Sequence, residues 1–140
     1  MPLALLLALL TAIAPLAIDM YLPAIAAMAT DLNSDIHQVE LSVSAFLLGY
    51  AAGQLLGGPL SDRYGRKPII LLGLMLYLLA SIYLVSVTDL TTLLWWRALQ
   101  AIGGGLATVN SPAVVRDRCP GDDIARPLSM VATIMMLAPL

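Results

Sequence analysis

Two side chains of opposite charge, Asp19 and Arg97, stand inside long apolar stretches of the sequence. A charge in hydrocarbon costs about 2.5–3.5 kcal/mol on insertion scales, so such residues are rare and mark functional sites. A carboxylate that binds an arginine and a proton in turn can couple proton movement to the binding of a second ligand. The two residues therefore predict a proton-coupling pair, and the alternative is a buried ion pair that only fixes helix packing. Tyr21, near Asp19, is typical of a membrane-interface residue.

Arg97 also begins a row of polar and small side chains that share one face of a helix. Its members are three or four residues apart: Arg97, Gln100, Gly104, Thr108 and Ser111. Because residues at this spacing lie above one another on a helix, we expect the row to line a substrate cavity. Tyr50 and Gln54, one turn apart on another helix, would add to that cavity. For Gly104 and Thr108 the alternative is ordinary close packing of helices by small residues.

A charged turn, GPLSDRYGRKP at 58–68, separates two further apolar stretches. Gly65 suits a tight or left-handed turn, and Pro68 suits the first turn of the helix that follows. The cations of the turn act as an anchor on the inner side of a membrane; they are Arg63, Arg66 and Lys67. An anchor does not explain Asp62, whose carboxylate can bind a helix N-terminus or an arginine.

The amino-acid composition indicates whether these stretches lie in water or in a lipid bilayer. Of 140 residues, 60% are hydrophobic and only 11% are charged, against about 25% charged in an ordinary globular domain. So few charges cannot cover the surface of a soluble protein of this size. The chain is therefore expected to be an integral membrane protein whose main partner is the lipid bilayer.

Several classes of function lack the residues that they need. The formal net charge is −2, and no basic face is present to bind the phosphate backbone of a nucleic acid. With one histidine, His37, and one cysteine, Cys119, the chain has neither a metal-ligand cluster nor an internal disulfide. No nucleophile–base pair is visible, so we expect neither an enzyme nor catalytic residues nor a bound metal.

Apolar stretches predict the helices that position the charged residues. They lie near residues 3–28, 40–60, 69–87, 92–114 and 127–140. The first four have the length, about 19–26 residues, that crosses a hydrocarbon core of about 30 Å, and in that core the backbone must be helical. The last would supply about 21 Å of helix, so we expect a truncated fifth helix and a longer complete protein. A cleaved signal peptide at 3–28 is the weaker alternative, because no positive residue precedes the apolar run.

The connections between these helices alternate in charge. Every Lys or Arg except Arg97 falls in the connections near 61–68 and 115–126, whereas the connections near 31–40 and 88–92 carry only acids among their charged residues. The positive-inside rule places the basic connections in the cytoplasm. We therefore expect a multi-pass protein of the cell inner (plasma) membrane with a cytoplasmic N-terminus.

Four stretches resemble a known family. GPLSDRYGRKPIIL at 58–71 is similar to the signature between helices 2 and 3 of the major facilitator superfamily, G-x-L-x-D-R-x-G-R-[KR]-x-x-x-[LI]. IDMYLPAI at 18–25 resembles the D-M-Y-L-P signature of its Bcr/CflA group of proton-driven drug exporters. RALQAIGGG at 97–105, with VVRDRCP at 114–120, is similar to helix 4 of that group and to its cytoplasmic end.

The resemblance implies an all-α membrane fold, here a partial N-terminal six-helix bundle of four full transmembrane helices and a truncated fifth, with the C-terminal half of the protein absent. It implies a proton-coupled exporter of drugs or small amphipathic compounds that works by alternating access and needs a proton gradient but no cofactor. Its partners would be protons, the drug-like substrate and the missing half. Uptake of a sugar or other solute by the same fold, or a small partner-binding membrane protein, are the alternatives.

The resemblance also implies roles for the charged turn and for a row of small residues. Asp62 would dock on a helix end in the second half, and Arg63 or Arg66 would pair with an acid at the end of helix 4, for which Asp117 fits. The turn would thereby form a conformational latch; its residues are Gly58, Asp62, Arg63, Gly65, Arg66, Lys67 and Asp117. Small residues at four-residue spacing would contact helix 11 of the second half, with packing inside the N-terminal bundle as the alternative; they are Ala45, Gly49, Gly53 and Gly57.

Overall fold

The computed structural model describes residues 2–118 together with 129, 132–133 and 136. Its helices are α1 (Pro2–Asp19), a short 3₁₀ helix (Leu22–Ala24), α2 (Ile25–Asp31), α3 (Ile36–Tyr64), α4 (Arg66–Leu84), α5 (Leu90–Thr108) and α6 (Ser111–Arg118). No strand occurs in this part of the chain, which confirms the predicted all-α class. The predicted helix at 127–140 lies largely outside the described residues.

The first predicted helix, 3–28, is interrupted. α1 ends at Asp19 and the chain resumes in the 3₁₀ helix and α2. Pro23 has no N–H to donate to the carbonyl of Asp19, and its ring restricts the residue before it. The N–H of Tyr21 bonds to the carbonyl of Ile18 at 3.0 Å, which shortens the last turn of α1. As shown below, this break exposes a backbone acceptor at the site.

α3 and α4 form a helical hairpin around one glycine. α3 begins at a capping box, in which Asp35 accepts from the N–H of His37 at 3.0 Å and the Gln38 side chain bonds back to Asp35. It runs beyond the predicted 40–60 at both ends. Gly65, with φ 95°, separates the two helices, and only a residue without a Cβ adopts such a conformation without strain.

The predicted helix 92–114 is divided into α5 and α6. Pro112 has no N–H for the carbonyl of Thr108, so the regular helix stops there. At the other end the N–H of Thr92 donates to Asp89 at 2.8 Å, and this bond lowers the pKa of Asp89 below its ordinary value. The stabilisation by this cap is therefore fully present above the pKa that Asp89 has in the unfolded chain. It is lost as pH falls through the lower pKa of Asp89 in the folded protein.

α5 is the central helix, and glycines let its backbone approach both neighbours. A Cβ on Gly49 or Gly53 would meet the carbonyl oxygens of Ala98 and Ile102, respectively. On the other side, a Cβ on Gly103 would lie 2.6 Å from the carbonyl oxygen of Gly73. The row at 45–57 therefore packs within its own bundle. This contact supports the alternative of packing inside the N-terminal bundle, because α5 occupies the glycine face of α3.

Three helical segments among the described residues are long and apolar enough to cross a membrane: 5–31, which includes the break after α1, 36–64 and 66–84. α5 is not among them. It carries Arg97 and Gln100, which are 4% and 5% exposed. Its polar side chains are shielded by the other helices, as expected for a central helix whose polar groups avoid lipid.

Candidate functional site

The guanidinium of Arg97 is enclosed by two aromatic rings, one from the turn after α1 and one from α3. Its Cζ lies 3.9 Å from the centroid of the Tyr21 ring and 4.6 Å from that of Phe46. Phe46 is fully buried. We call Tyr21 and Phe46 the aromatic pair. A cation over an aromatic face is stabilised by the ring quadrupole, and more strongly where water is excluded. Tyr21, predicted at the membrane interface, thus contacts Arg97 within the bundle.

Hydrogen bonds hold Tyr21 in this position. Its hydroxyl lies 2.6 Å from Ser42 Oγ. Because the single hydroxyl hydrogen of Ser42 points to the carbonyl of Val39, the Tyr21 hydroxyl is the donor in this bond. The ring over Arg97 is therefore tied to the α3 helix through Ser42.

The break after α1 supplies a backbone partner for Arg97. In a continuous helix the Tyr21 N–H would bond to the carbonyl of Ala17, but it bonds to Ile18. The Ala17 carbonyl instead accepts from Arg97 Nη2 at 3.0 Å. The irregular turn at Asp19–Tyr21 thus serves the site directly, as broken helices do where they line a cavity in membrane proteins.

A chain of hydrogen bonds fixes the other side of the guanidinium. Arg97 Nη1 donates to Gln100 Oε1 at 2.7 Å, and Gln100 Nε2 donates to Ser81 Oγ at 2.8 Å. The Ser81 hydroxyl then donates to the carbonyl of Tyr77 at 2.7 Å. This chain orients the Gln100 amide with its oxygen towards Arg97. Nε of Arg97 is buried and has no hydrogen-bond partner in the described part of the chain.

Asp19 does not pair with Arg97 in this structure. The ion contacts among the described residues are His37–Glu40, Arg66–Asp62 and Arg66–Asp117. Arg97 contacts Ala17 and Tyr21, which lie two residues before and two after Asp19, but not the carboxylate between them. The predicted pair is not formed in this arrangement, because the broken helix end offers Arg97 a carbonyl and a ring.

A cavity of about 420 Å³ opens beside this cluster. Its polar lining is Tyr21, Tyr77, Arg97 and Gln100, and its apolar lining is Ile13, Leu16, Ala17 and Met20. The volume lies within the usual range for small-molecule sites, about 300–1,000 Å³. Of the predicted cavity residues, Gln100 lines this cavity, as does Arg97 of the predicted proton-coupling pair.

The other predicted cavity residues lie elsewhere in the bundle. Tyr50 and Thr108 form a hydrogen bond of 2.7 Å between α3 and α5. Gly104 faces the rings of Tyr77 and Tyr50. A Cβ added at this glycine would lie 3.5 Å from the Tyr77 ring and 3.8 Å from the Tyr50 ring, which are ordinary contact distances. Gln54 is exposed on α3. Ser111 is fully buried, and its Oγ lacks a partner among the described residues.

At the other end of the bundle, Arg66 is the centre of a polar network. Its Nε lies 3.4 Å from Asp117, and its Nη1 lies 3.0 Å from Asp62. Nη1 also donates to Ser61 Oγ at 2.8 Å and to Asn110 Oδ1 at 3.5 Å. The carboxylates of Asp62 and Asp117 are exposed, whereas Ser61 and Asn110 are buried. The bonds from Arg66 to these two neutral acceptors are therefore the contacts of the network that salt weakens least. The structure thus brings Asp62, Arg66 and Asp117 together.

The remaining residues of the charged turn are less constrained. Arg63 lies over the ring of Tyr64, 5.5 Å from its centroid. A Cβ on Gly58 would have no atom within 4 Å. Lys67, with Arg66 and Asp117, borders a cavity of about 470 Å³ between α1, α4 and α6.

Sequence reasoning missed the neutral partners of both arginines. Tyr21, Phe46 and Ser81 surround Arg97 or its amide partner, and Ser61 and Asn110 hold Arg66. A signal for Ser81 and Asn110 is their polarity inside or beside apolar stretches. None was visible for Phe46, which has the character of any core residue.

Comparison with known proteins agrees with this architecture. Residues 7–140 match the Major Facilitator Superfamily domain. The chain is 36% identical over 134 residues to the bicyclomycin resistance protein homolog of Haemophilus influenzae, covering 96% of this chain and 34% of that protein. It is 37% identical over 136 residues to multidrug resistance protein D of Escherichia coli, covering 97% and 34% of the two chains. A chloramphenicol resistance protein of Pseudomonas aeruginosa is 37% identical over 133 residues, with 91% and 32% covered. The chain therefore spans about a third of the length of these curated relatives.

Proposed function

The chain belongs to the Major Facilitator Superfamily, and from this premise we propose that the complete protein exports drugs or small amphipathic compounds in exchange for protons. Export would proceed across the plasma membrane by alternating access, with the described bundle as part of the N-terminal half. The names of the relatives support drugs as cargo, since they include resistance to bicyclomycin and to chloramphenicol.

One structural observation carries the proton-coupling part of the proposal. Arg97 is 4% exposed in a membrane-spanning bundle and, among the described residues, has no acidic partner, although Asp19 ends the helix that it contacts. Such a carboxyl can take up a proton in one state and bind the arginine in another. Each proton would supply about 2.3 kcal/mol per 100 mV of membrane potential and about 1.4 kcal/mol per pH unit.

The orientation and the partners follow from the charges of the connections. The basic turn around Arg66 would face the cytoplasm and so would the N-terminus, by the positive-inside rule. Protons, the bilayer, the drug and the remaining part of the protein would be the partners. No cofactor enters the proposal, because the proton gradient would supply the energy.

Resistance and vesicle transport test the proposal. The complete protein, produced in a bacterial strain without its main drug exporters, is expected to raise the inhibitory concentration of chloramphenicol or bicyclomycin several-fold. Inverted membrane vesicles should accumulate the same drug when a proton gradient is imposed and should lose it when a protonophore is added. Uptake into whole cells, or accumulation that ignores the protonophore, would contradict export coupled to protons.

The Arg66 network would act as a cytoplasmic latch for one of the two access states. Asp62→Asn in the complete protein is expected to lower export several-fold while leaving thermal stability almost unchanged. Stability should hold because Asp62 is exposed, and exposed ion pairs contribute only about 0–1 kcal/mol. Vesicle transport and melting of the purified protein measure the two effects.

Asp35→Asn provides the matched control for this change, since Asp35 is also exposed but caps α3 on the opposite side of the bundle. It should leave transport intact. Undiminished export by a normally expressed Asp62→Asn protein would refute the latch.

A further inference from the structure

The aromatic pair occupies the place in which an acidic partner of Arg97 would be expected. A guanidinium removed from water requires compensation, and here the compensation is two rings, a carbonyl and an amide oxygen. All four groups are neutral. The arginine is therefore held in place without consuming the charge of Asp19.

We propose that Tyr21 and Phe46 are positioning residues that hold Arg97 while Asp19 carries a proton. The site then has two arrangements. In one, Arg97 lies in the aromatic pair and Asp19 is protonated; in the other, Arg97 binds the Asp19 carboxylate. This inference rests on the proposed proton coupling and specifies how the same site is regulated.

The location of Tyr21 makes it suited to such an exchange. Asp19 and Tyr21 lie on the same irregular turn, and the Tyr21 hydroxyl ties that turn to Ser42 of α3. A rearrangement of the turn that withdraws the ring therefore also moves the carboxyl. Pro23 leaves the Asp19 carbonyl without its helical donor, and the Tyr21 N–H bonds to Ile18, so the turn keeps only part of the regular helix bonding.

The other groups that face Arg97 do not replace the pair. Among the described residues, α4 contributes the titratable Tyr77 at the cavity wall, α5 contributes neutral Gln100, and α3 contributes Phe46. Glu40 of α3 is exposed and contacts His37. Asp19 is the acid that lies in the chain between two of the Arg97 contacts, Ala17 and Tyr21.

The sign of the expected effect follows from the two arrangements. Weakening the aromatic pair shifts Arg97 towards the Asp19 carboxylate, and an arginine partner favours the ionised carboxylate. Tyr21→Leu should therefore move the protonation midpoint of Asp19 to lower pH. The loss of one desolvated cation–π contact is expected to shift this midpoint by about one pH unit.

Infrared titration of the complete protein in lipid measures this midpoint without requiring a substrate. The band of the protonated Asp19 carboxyl is identified by its loss in Asp19→Asn. We expect it to shift by about one pH unit in Tyr21→Leu, and in the same direction in Phe46→Leu, which serves if Tyr21→Leu does not fold.

Two further variants test whether the shift of the midpoint comes from the loss of the ring over Arg97. Tyr21→Phe keeps the ring but removes the hydroxyl that ties it to Ser42, so its midpoint should move in the same direction as that of Tyr21→Leu, but by less. Tyr83→Leu removes a ring that stacks on Trp96 and is not one of the two rings over Arg97, so it should not shift the midpoint. A parental midpoint retained in Tyr21→Leu and in Phe46→Leu overturns the inference. An Asp19 band that does not titrate in the parent protein overturns the proposed proton coupling itself.

Discussion

Asp19→Asn is expected to abolish proton-driven export by the complete protein, down to the level of vesicles that lack the transporter. Asparagine has the shape of a protonated aspartate but can neither release a proton nor attract Arg97 as an anion. The variant should therefore remain in the arrangement in which the aromatic pair holds Arg97. Drug accumulation in inverted vesicles under an imposed proton gradient measures the loss.

A second assay distinguishes lost coupling from lost folding. Exchange of labelled for unlabelled drug needs the two access states but no net proton movement, so Asp19→Asn should retain it. Asp31→Asn makes the same chemical change at an exposed position after the break and should export normally. Undiminished proton-driven export by Asp19→Asn would exclude Asp19 as the coupling carboxyl.

The parts of the fold that were predictable have local causes. Gly65 is followed by Arg66, Lys67 and Pro68, and this order alone predicts a turn followed by a helix start. The helix breaks were not predicted, although Pro23 and Pro112 were visible. Pro15 lies inside α1 and Pro59 inside α3 without ending either helix. Neighbouring groups decide whether a proline interrupts a membrane helix, and those groups are distant in sequence.

The site was predictable in its charges but not in its contacts. The cost of a charge in hydrocarbon singles out Arg97 from the sequence alone, and its row on the helix correctly places Gln100 beside it. The electrostatic argument favours an ion pair with Asp19. The structure instead gives Arg97 a carbonyl freed by the break of α1, and the position of that break could not be read from residue types.

The second large effect is expected on stability, when alanine replaces glycine at positions 103–105 of α5, one position at a time. Gly103→Ala and Gly105→Ala should each destabilise the bundle by about 1–3 kcal/mol or more. A Cβ at 103 would lie 2.6 Å from Gly73 O and from Tyr77 N, and one at 105 would meet the carbonyl oxygen of Tyr50. These are backbone atoms of packed helices, so they cannot rotate away. Melting temperature and the yield of monodisperse purified protein measure the loss.

Gly104→Ala is the matched control within the same row. The nearest atom to its Cβ would be Tyr77 Cδ2 at 3.5 Å, an ordinary contact. Alanine also favours a helix over glycine by about 0.8–1 kcal/mol, so this variant should be as stable as the parent or slightly more stable. Equal destabilisation at all three positions would contradict the close approach of α3 and α4 to α5.

Stability and transport together test the prediction that Gly104 lines the substrate cavity. If Gly104→Ala melts at the parental temperature but exports less drug, the added methyl group must act on the substrate or on the moving bundle. If both stability and export are retained, Gly104 serves only to fit the rings of Tyr50 and Tyr77. Gly103 and Gly105 cannot answer this question, because their substitution changes the packing that any transport requires.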